Sequence, residues 1–230
     1  MSLERLQLSY VDLVIAYRPD RQTPIDETVR AFNHVIDQGK AMYWGTAEWS
    51  ADEIAQAWRY ADKLGMIGPL MEQPEYNMLK RGKVEGEFVH LYRETGLGLA
   101  ISSPIRQGML SGKYSDGISE GSRLDQTQID FIAGLRKRLG KEQLPQMVAK
   151  VAEMKPIAER LGVSQAVLAI AWVLKNPNVS SAIMGASSPE QVYENVKAVE
   201  VYEKLTTEMM DEIDGILNNK PPAEVARMYG

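Results

Sequence analysis

A tyrosine closes the first long apolar run of the chain, in "VDLVIAYRPD", where the chain turns toward a helix; that corner makes Tyr17 a candidate for proton chemistry. A free phenol releases its proton only near pH ~10, so an acid at this corner needs a cation beside it. Spacing alone puts neither Arg18 nor Lys40 there, and a strand-end tyrosine filling the mouth of a pocket is the competing reading. A second candidate lies in "SSPEQVYEN". Ser188, Pro189 and Gln191 combine a helix cap, a first-turn proline and capping-box spacing, and the N–H groups at such a helix start suit an anion. His34 and His90 sit in helix-period segments and read as surface or core residues. The chain has no cysteine, which excludes disulfides, thiolate metal sites and a cysteine nucleophile; no spaced set of histidines and carboxylates supports a metal.

The elements that must position these residues alternate in kind. "YVDLVIA", "AMYWGTA" and "IGPLMEQ" are short apolar runs, and between them lie the helix-period segments "TPIDETVRAFNHVIDQG" and "SADEIAQAWRYADKLG". This order predicts repeated βα units on a parallel sheet. Thr23, Pro24 and Asp26 read as a helix start closed by Gly39, and Ser50 with Glu53 has capping-box spacing. Five strands are expected, near residues 11–16, 42–46, 70–73, 97–102 and 182–185. Residues 125–161 read as a charged, mainly helical elaboration with "KRLGKEQLP" as its loop. "VSQAVLAIAWVLKN" predicts an almost wholly apolar packing helix that includes Trp172. No G-x-G-x-x-G follows any of these strands, so the dinucleotide fingerprint is missing.

Composition narrows the partners. At 230 residues and 44% hydrophobic content the chain is long enough for one sizeable core. Mixed charges summing to −5, without a basic block, argue against nucleic acid. The absence of cysteine fits a reducing compartment such as the cytosol. No apolar stretch reaches the ~20 residues of a membrane span, so membrane association is expected only through a partner.

The phrases "MEQPEYNML", "SSPIRQGMLSGKY", "IMGASSPEQVYENV", "AMYWGTAEWS" and "SLERLQLSYVDLVIAYRPD" resemble the aldo-keto reductases, and most closely the cytoplasmic β subunits of voltage-gated potassium channels. The resemblance covers nearly the whole chain. It implies one α/β domain of the (β/α)8 TIM-barrel type, with its site at the C-terminal ends of the strands. It also implies that the chain begins at the family's fourth strand, so that the first three βα units, with the family's catalytic Asp, Tyr and Lys, are absent. The remaining catalytic position, His in reductases and Asn in channel subunits, falls on Tyr17.

For the cofactor, the resemblance implies NADP(H). It assigns the adenosine end to Gly185, Ser187, Gln191, Glu194 and Asn195, and the phosphates to Lys113 and Arg123. Ser102, Ser103, Pro104, Ile105, Arg106, Gln107 and Gly108 would wrap the pyrophosphate largely by backbone. At the nicotinamide end only Gln73 keeps the family's residue type. Ala47 and Glu48 stand where polar carboxamide contacts are usual, and Ser102 where an aromatic residue stacks on the ring, so a hydride would be poorly aimed. The implied function is an NADP(H)-binding regulatory protein with weak or no turnover. Its implied partners are a potassium channel α subunit and further copies of itself, as a tetramer, and its implied place is the cytoplasm, peripheral to the membrane. The alternatives are an active NADPH-dependent reductase of aldehydes or ketones completed by units outside this chain, and an inert fragment with open sheet edges.

Overall fold

Alternation of apolar residues in "VDLVIAY" makes the first strand, β1 (Val11–Tyr17), after a short helix α1 (Ser2–Leu6). The computed structural model describes residues 2–115, 117, 120, 125 and 130–222. The expected βα order is observed. Helix α2 (Ile25–Asp37), strand β2 (Ala41–Ala47), helix α3 (Ala51–Leu64), strand β3 (Met71–Gln73), helix α4 (Val89–Thr95) and strand β4 (Gly98–Ile101) follow one another. A single π-helical turn, Lys83–Glu87, precedes α4. The sheet has five strands in chain order, β1 through β4 and then β5 (Val179–Ala182). The pairs β1–β2, β2–β3 and β3–β4 are parallel. This α/β arrangement fits a partial (β/α) barrel.

The chain divides into two compact units, Met1–Pro74 with Lys83–Ala100, and Glu75–Gly82 with Ile101–Gly230. In the first unit α2 packs on β2 and on α3. Phe32 of α2 stacks on Trp44 of β2 with ring centroids 5.0 Å apart, and the Trp44 indole N–H donates to the Ile67 carbonyl at 2.7 Å. Buried Asn33 ties the helix to the same loop. Its amide donates to the carbonyls of Val29 and Ile67, and its carbonyl accepts the Ile67 N–H, each at 2.9 Å.

The second unit is mainly helical. Its helices are α5 (Asp130–Glu153), α6 (Lys155–Arg160), α7 (Gln165–Leu174), α8 (Pro189–Asn195), α9 (Ala198–Val201) and α10 (Thr207–Leu217). Every residue of α7 from Val167 to Val173 is buried, as its uniformly apolar sequence requires. Trp172 of this helix packs between Tyr76, at 5.1 Å, and the Arg81 guanidinium, at 5.0 Å. Arg81 is itself paired with Asp214. Burial alone would raise the Asp214 carboxyl; hydrogen bonds from Lys220 and Arg81 outweigh it and hold the group below its ordinary value.

Three details differ from the sequence reading. Helix α2 starts after Pro24, and Thr23 does not cap it, because its hydroxyl donates to Asp20 at 2.8 Å. "KRLGKEQLP" is not a loop, since α5 runs through it to Pro145 and beyond. Strong helix formers in that stretch outweigh the cost of one glycine and one proline. The fifth strand lies three residues earlier than expected, at Val179–Ala182. Beyond it the Ile183 N–H donates to the Ile101 carbonyl at 2.8 Å, and the chain then leaves the sheet.

Asn33 gives the clearest stability test. Asn33→Ala takes the acceptor from the Ile67 N–H and one donor each from the Val29 and Ile67 carbonyls, and a loss of about 1–3 kcal/mol is expected in urea unfolding.

Candidate functional site

Parallel register puts the ends of three strands of the first unit in one row. Tyr17 lies opposite Ala47, and Ala47 opposite Gln73. Three residues assigned by resemblance to the hydride end therefore stand side by side. Tyr17 is 66% exposed, and the Arg18 guanidinium lies 5.1 Å from its ring centroid, so the cation that spacing did not supply is present. Arg18 itself is left-handed, with φ +54°, and its N–H donates to the Ala47 carbonyl at 2.8 Å.

After Ala47 the chain turns through Glu48, also left-handed at φ +63°. The next three N–H groups each meet a different carboxylate. Trp49 N–H donates to Glu72 Oε1 at 3.1 Å, Ser50 N–H to Glu53 at 2.8 Å, and Ala51 N–H to Glu87 at 2.7 Å. The Ser50–Glu53 pair is the reciprocal capping box expected from spacing. Trp49 also reaches the other way, its buried indole N–H donating to the Ala16 carbonyl at 3.0 Å. One tryptophan thus links the ends of β1 and β3 across the turn that follows β2.

Glu72 escaped the sequence reading. It is fully buried, and Lys83 Nζ stands 4.0 Å away. Its Oε2 has no hydrogen-bond partner among the described residues; the nearby Thr46 hydroxyl is aimed at the Met71 carbonyl, 3.5 Å off. Burial pushes the carboxyl up to about 7, against the lowering effects of Thr46, Lys83 and the Trp49 N–H, and Glu48 adds to the rise.

In the second unit a cleft of about 430 Å³ gathers most of the residues assigned to the phosphate and adenosine end. Ser103, Pro104, Ile105, Gln107, Gly108, Lys113, Gly185, Ser187 and Gln191 line it, together with Ile183, Met184 and Ala186, which the sequence reading did not name. Ser103, Arg106 and Gln107 are left-handed, at φ +54°, +44° and +54°, and Gly108 follows at +87°. A run of this kind costs free energy at each non-glycine residue and persists only where neighbours fix it. The Ser103 hydroxyl accepts from Gln107 Nε2 at 3.1 Å, and buried Asn77 donates to the Ser103 carbonyl at 3.1 Å. Asn77 is a second residue that sequence reasoning missed.

Gly108 matters for space as well as for φ. A Cβ there would stand 2.6 Å from Lys113 Cε and 2.9 Å from its Nζ, so glycine leaves the channel through which the ammonium lies along the loop. On the far wall Ser188 caps α8, accepting the Gln191 N–H at 3.4 Å. The Gln191 side chain reaches back one residue further than a capping box requires, accepting the Ser187 N–H and hydroxyl at 2.9 and 3.1 Å.

The remaining assigned residues stand outside this cleft's lining. Ser102 pairs with Glu75 in an isolated bridge, and Arg106 is half-buried in the loop. Glu194 lines a different hollow with Glu159, Ser164 and Lys197, and Asn195 is buried in α8. Arg123 lies outside the described residues. Among the described residues no single helix is long and apolar enough to cross a membrane.

Comparison with known proteins adds the following. The model of the Aldo/keto reductase family matches residues 1–218. The chain is 48% identical over 221 residues to a probable voltage-gated potassium channel subunit beta of Arabidopsis thaliana, and equally so to one of Oryza sativa subsp. japonica. In each case 96% of this chain and 66% of the relative are covered. It is 49% identical over 220 residues to a putative voltage-gated potassium channel subunit beta of Schizosaccharomyces pombe, covering 96% of this chain and 63% of that protein. The chain thus spans a little under two thirds of the length of these relatives.

Glu72 yields a prediction with a definite sign. Its folded-state value lies above its ordinary 4.5, so the unfolded chain releases this proton first as pH rises. The site's favourable contribution is complete below about 4.5 and is lost as pH climbs to about 7. Stability should fall across that window by about 3 kcal/mol more in the wild type than in Glu72→Gln, as read by urea unfolding at the two ends of the window.

Proposed function

We propose a nucleotide-holding role on the premise that the chain belongs to the aldo/keto reductase family. The cleft of the second unit binds the phosphate and adenosine end of NADP(H). The protein then acts as a regulatory accessory with weak or no turnover, in keeping with relatives named as potassium channel beta subunits. One observation carries this reading. Ser103, Gln107, Gly108 and Lys113 from one stretch, and Gly185, Ser187 and Gln191 from another far along the chain, converge on a single cleft.

The residues fit the group. Lys113 offers a compact cation to a phosphate, the loop around Gly108 offers backbone without a side chain in the way, and Ser103, Ser187 and Gln191 offer polar atoms for ribose or phosphate oxygens. When bound, NADP(H) supplies a hydride at its nicotinamide ring. Of the residues that the resemblance gives to that ring, only Gln73 keeps the family's type; Ala47 has no polar side-chain atom, and Tyr17, at the family's catalytic corner, stands in water. Weak turnover follows from this. The partner is a potassium channel α subunit, reached from the cytoplasm, with further copies of this chain as co-assembled subunits.

A second reading, a working NADPH-dependent reductase of aldehydes or ketones, is favoured by one feature. The Arg18 guanidinium lies 5.1 Å from the ring centroid of Tyr17, which puts a cation next to the residue at the family's catalytic corner.

Titration with NADPH, followed by nicotinamide fluorescence, should saturate at micromolar concentration, and Lys113→Ala should weaken binding about tenfold. Absence of saturable binding would overturn the nucleotide reading. NADPH oxidation with a panel of aldehydes should not exceed the buffer blank; turnover abolished by Tyr17→Phe would favour the reductase instead.

A further inference from the structure

The first unit contains a buried acid whose contacts all converge on one turn. Glu72 sits on β3 beside Gln73, pointing to the opposite face, and its Oε1 receives the N–H of Trp49. That residue follows Ala47, the middle member of the strand-end row, by two positions, and its indole is tied to Ala16, just before Tyr17. Moving the Trp49 amide would therefore move the Tyr17 and Ala47 members of the row. Of the three carboxylates on the turn's N–H groups, Glu53 belongs to α3 itself and Glu87 is on the solvent side; Glu72 alone is wholly enclosed and holds the turn to the sheet.

We propose that Glu72 is a positioning residue for the strand-end row, holding the turn at residues 48–50 through the Trp49 amide with a grip that depends on whether its carboxyl carries a proton. An ionised carboxylate accepts an N–H bond roughly twice as strong as a neutral one does. Loss of the proton tightens the hold on Trp49, and gain of the proton slackens it. The groups that face Glu72 set the balance. Enclosure, with Glu48, favours the neutral form, and the Thr46 hydroxyl, Lys83 on the π-helical turn and the Trp49 N–H favour the ionised one. Glu53 and Glu87 are engaged with their own N–H groups on the same turn and add negative charge nearby. The unpartnered Oε2 is where the proton is carried.

The device itself is tested without nucleotide. The chain has four tryptophans, so labelling tryptophan alone with nitrogen-15 gives four backbone amide signals, with that of Trp49 identified by its loss in Trp49→Phe. The Trp49 amide should titrate with a midpoint near 7 in the wild type and stay fixed in Glu72→Gln. A Trp49 amide that does not titrate in the wild type overturns the proposal, and that arm needs no substitution at Glu72. A titration that persists unchanged in a folded Glu72→Gln also overturns it.

Discussion

Three consecutive amide groups, those of Trp49, Ser50 and Ala51, must find acceptors where β2 gives way to α3, because the first has left the strand and the start of a helix leaves its own N–H groups unpaired. Each finds a carboxylate, and the three carboxylates come from three elements: β3, α3 itself and the π-helical turn before α4. The arrangement answers a local need and has a longer-range effect. Because Glu72 and Glu87 lie far along the chain, satisfying the helix start also pins the β2–α3 turn to the next two elements. The Trp49 indole adds the link back to β1. The strand-end row of the first unit, Tyr17, Ala47 and Gln73, is the surface that these bonds fix.

The second unit solves a different problem. Its loop at residues 103–108 holds three non-glycine residues in the left-handed region, an arrangement that costs about 1 kcal/mol or more at each. Asn77 at one end, the Gln107 amide on Ser103 in the middle and the Tyr114 hydroxyl on the Gln107 carbonyl at the other keep it there. A loop held in this way presents backbone rather than side chain to the cleft, and Gly108 completes that surface by admitting Lys113 alongside. A change at Gly108 or Asn77 therefore alters the cleft more than one at Ser102 or Arg106, which stand outside its lining.

What could be read in the sequence follows from how far apart the interacting residues are. The βα order, the Ser50–Glu53 capping box and the all-apolar α7 depend on residues within a few positions of one another, and all three were legible. The Lys113 and Ser187 ends of the cleft were assignable through phrases that resemble a family, since no fingerprint of spacing marks them. Glu72 and Asn77 were not legible. Both look like ordinary polar residues in "MEQPEYNML", and their partners, Trp49 and Ser103, lie 23 and 26 positions away. The displacement of β5 has a similar origin, because "SSAIMGAS" mixes serines with small and apolar residues without a regular period, and periodicity cannot say which part pairs and which part lines a cleft.

The two sets of residues differ in what they can do to a bound nucleotide. The cleft of the second unit has a cation, hydroxyls and an open backbone, which suit a phosphate whether or not any reaction follows. Reaction asks more, because a hydride donor must be held at contact distance and at a fixed angle to its acceptor. Ala47 has no polar atom in its side chain, and an exposed Tyr17 works against water rather than within a preorganised site. Holding the nucleotide and using it thus make separate demands on separate residues. A family member can keep the first set while its second set drifts, and affinity for the phosphate end then persists as the chemistry declines. Under the proposed reading the strand-end row retains a use even so, because a turn tied to a buried acid still changes the fit around whatever the row contacts.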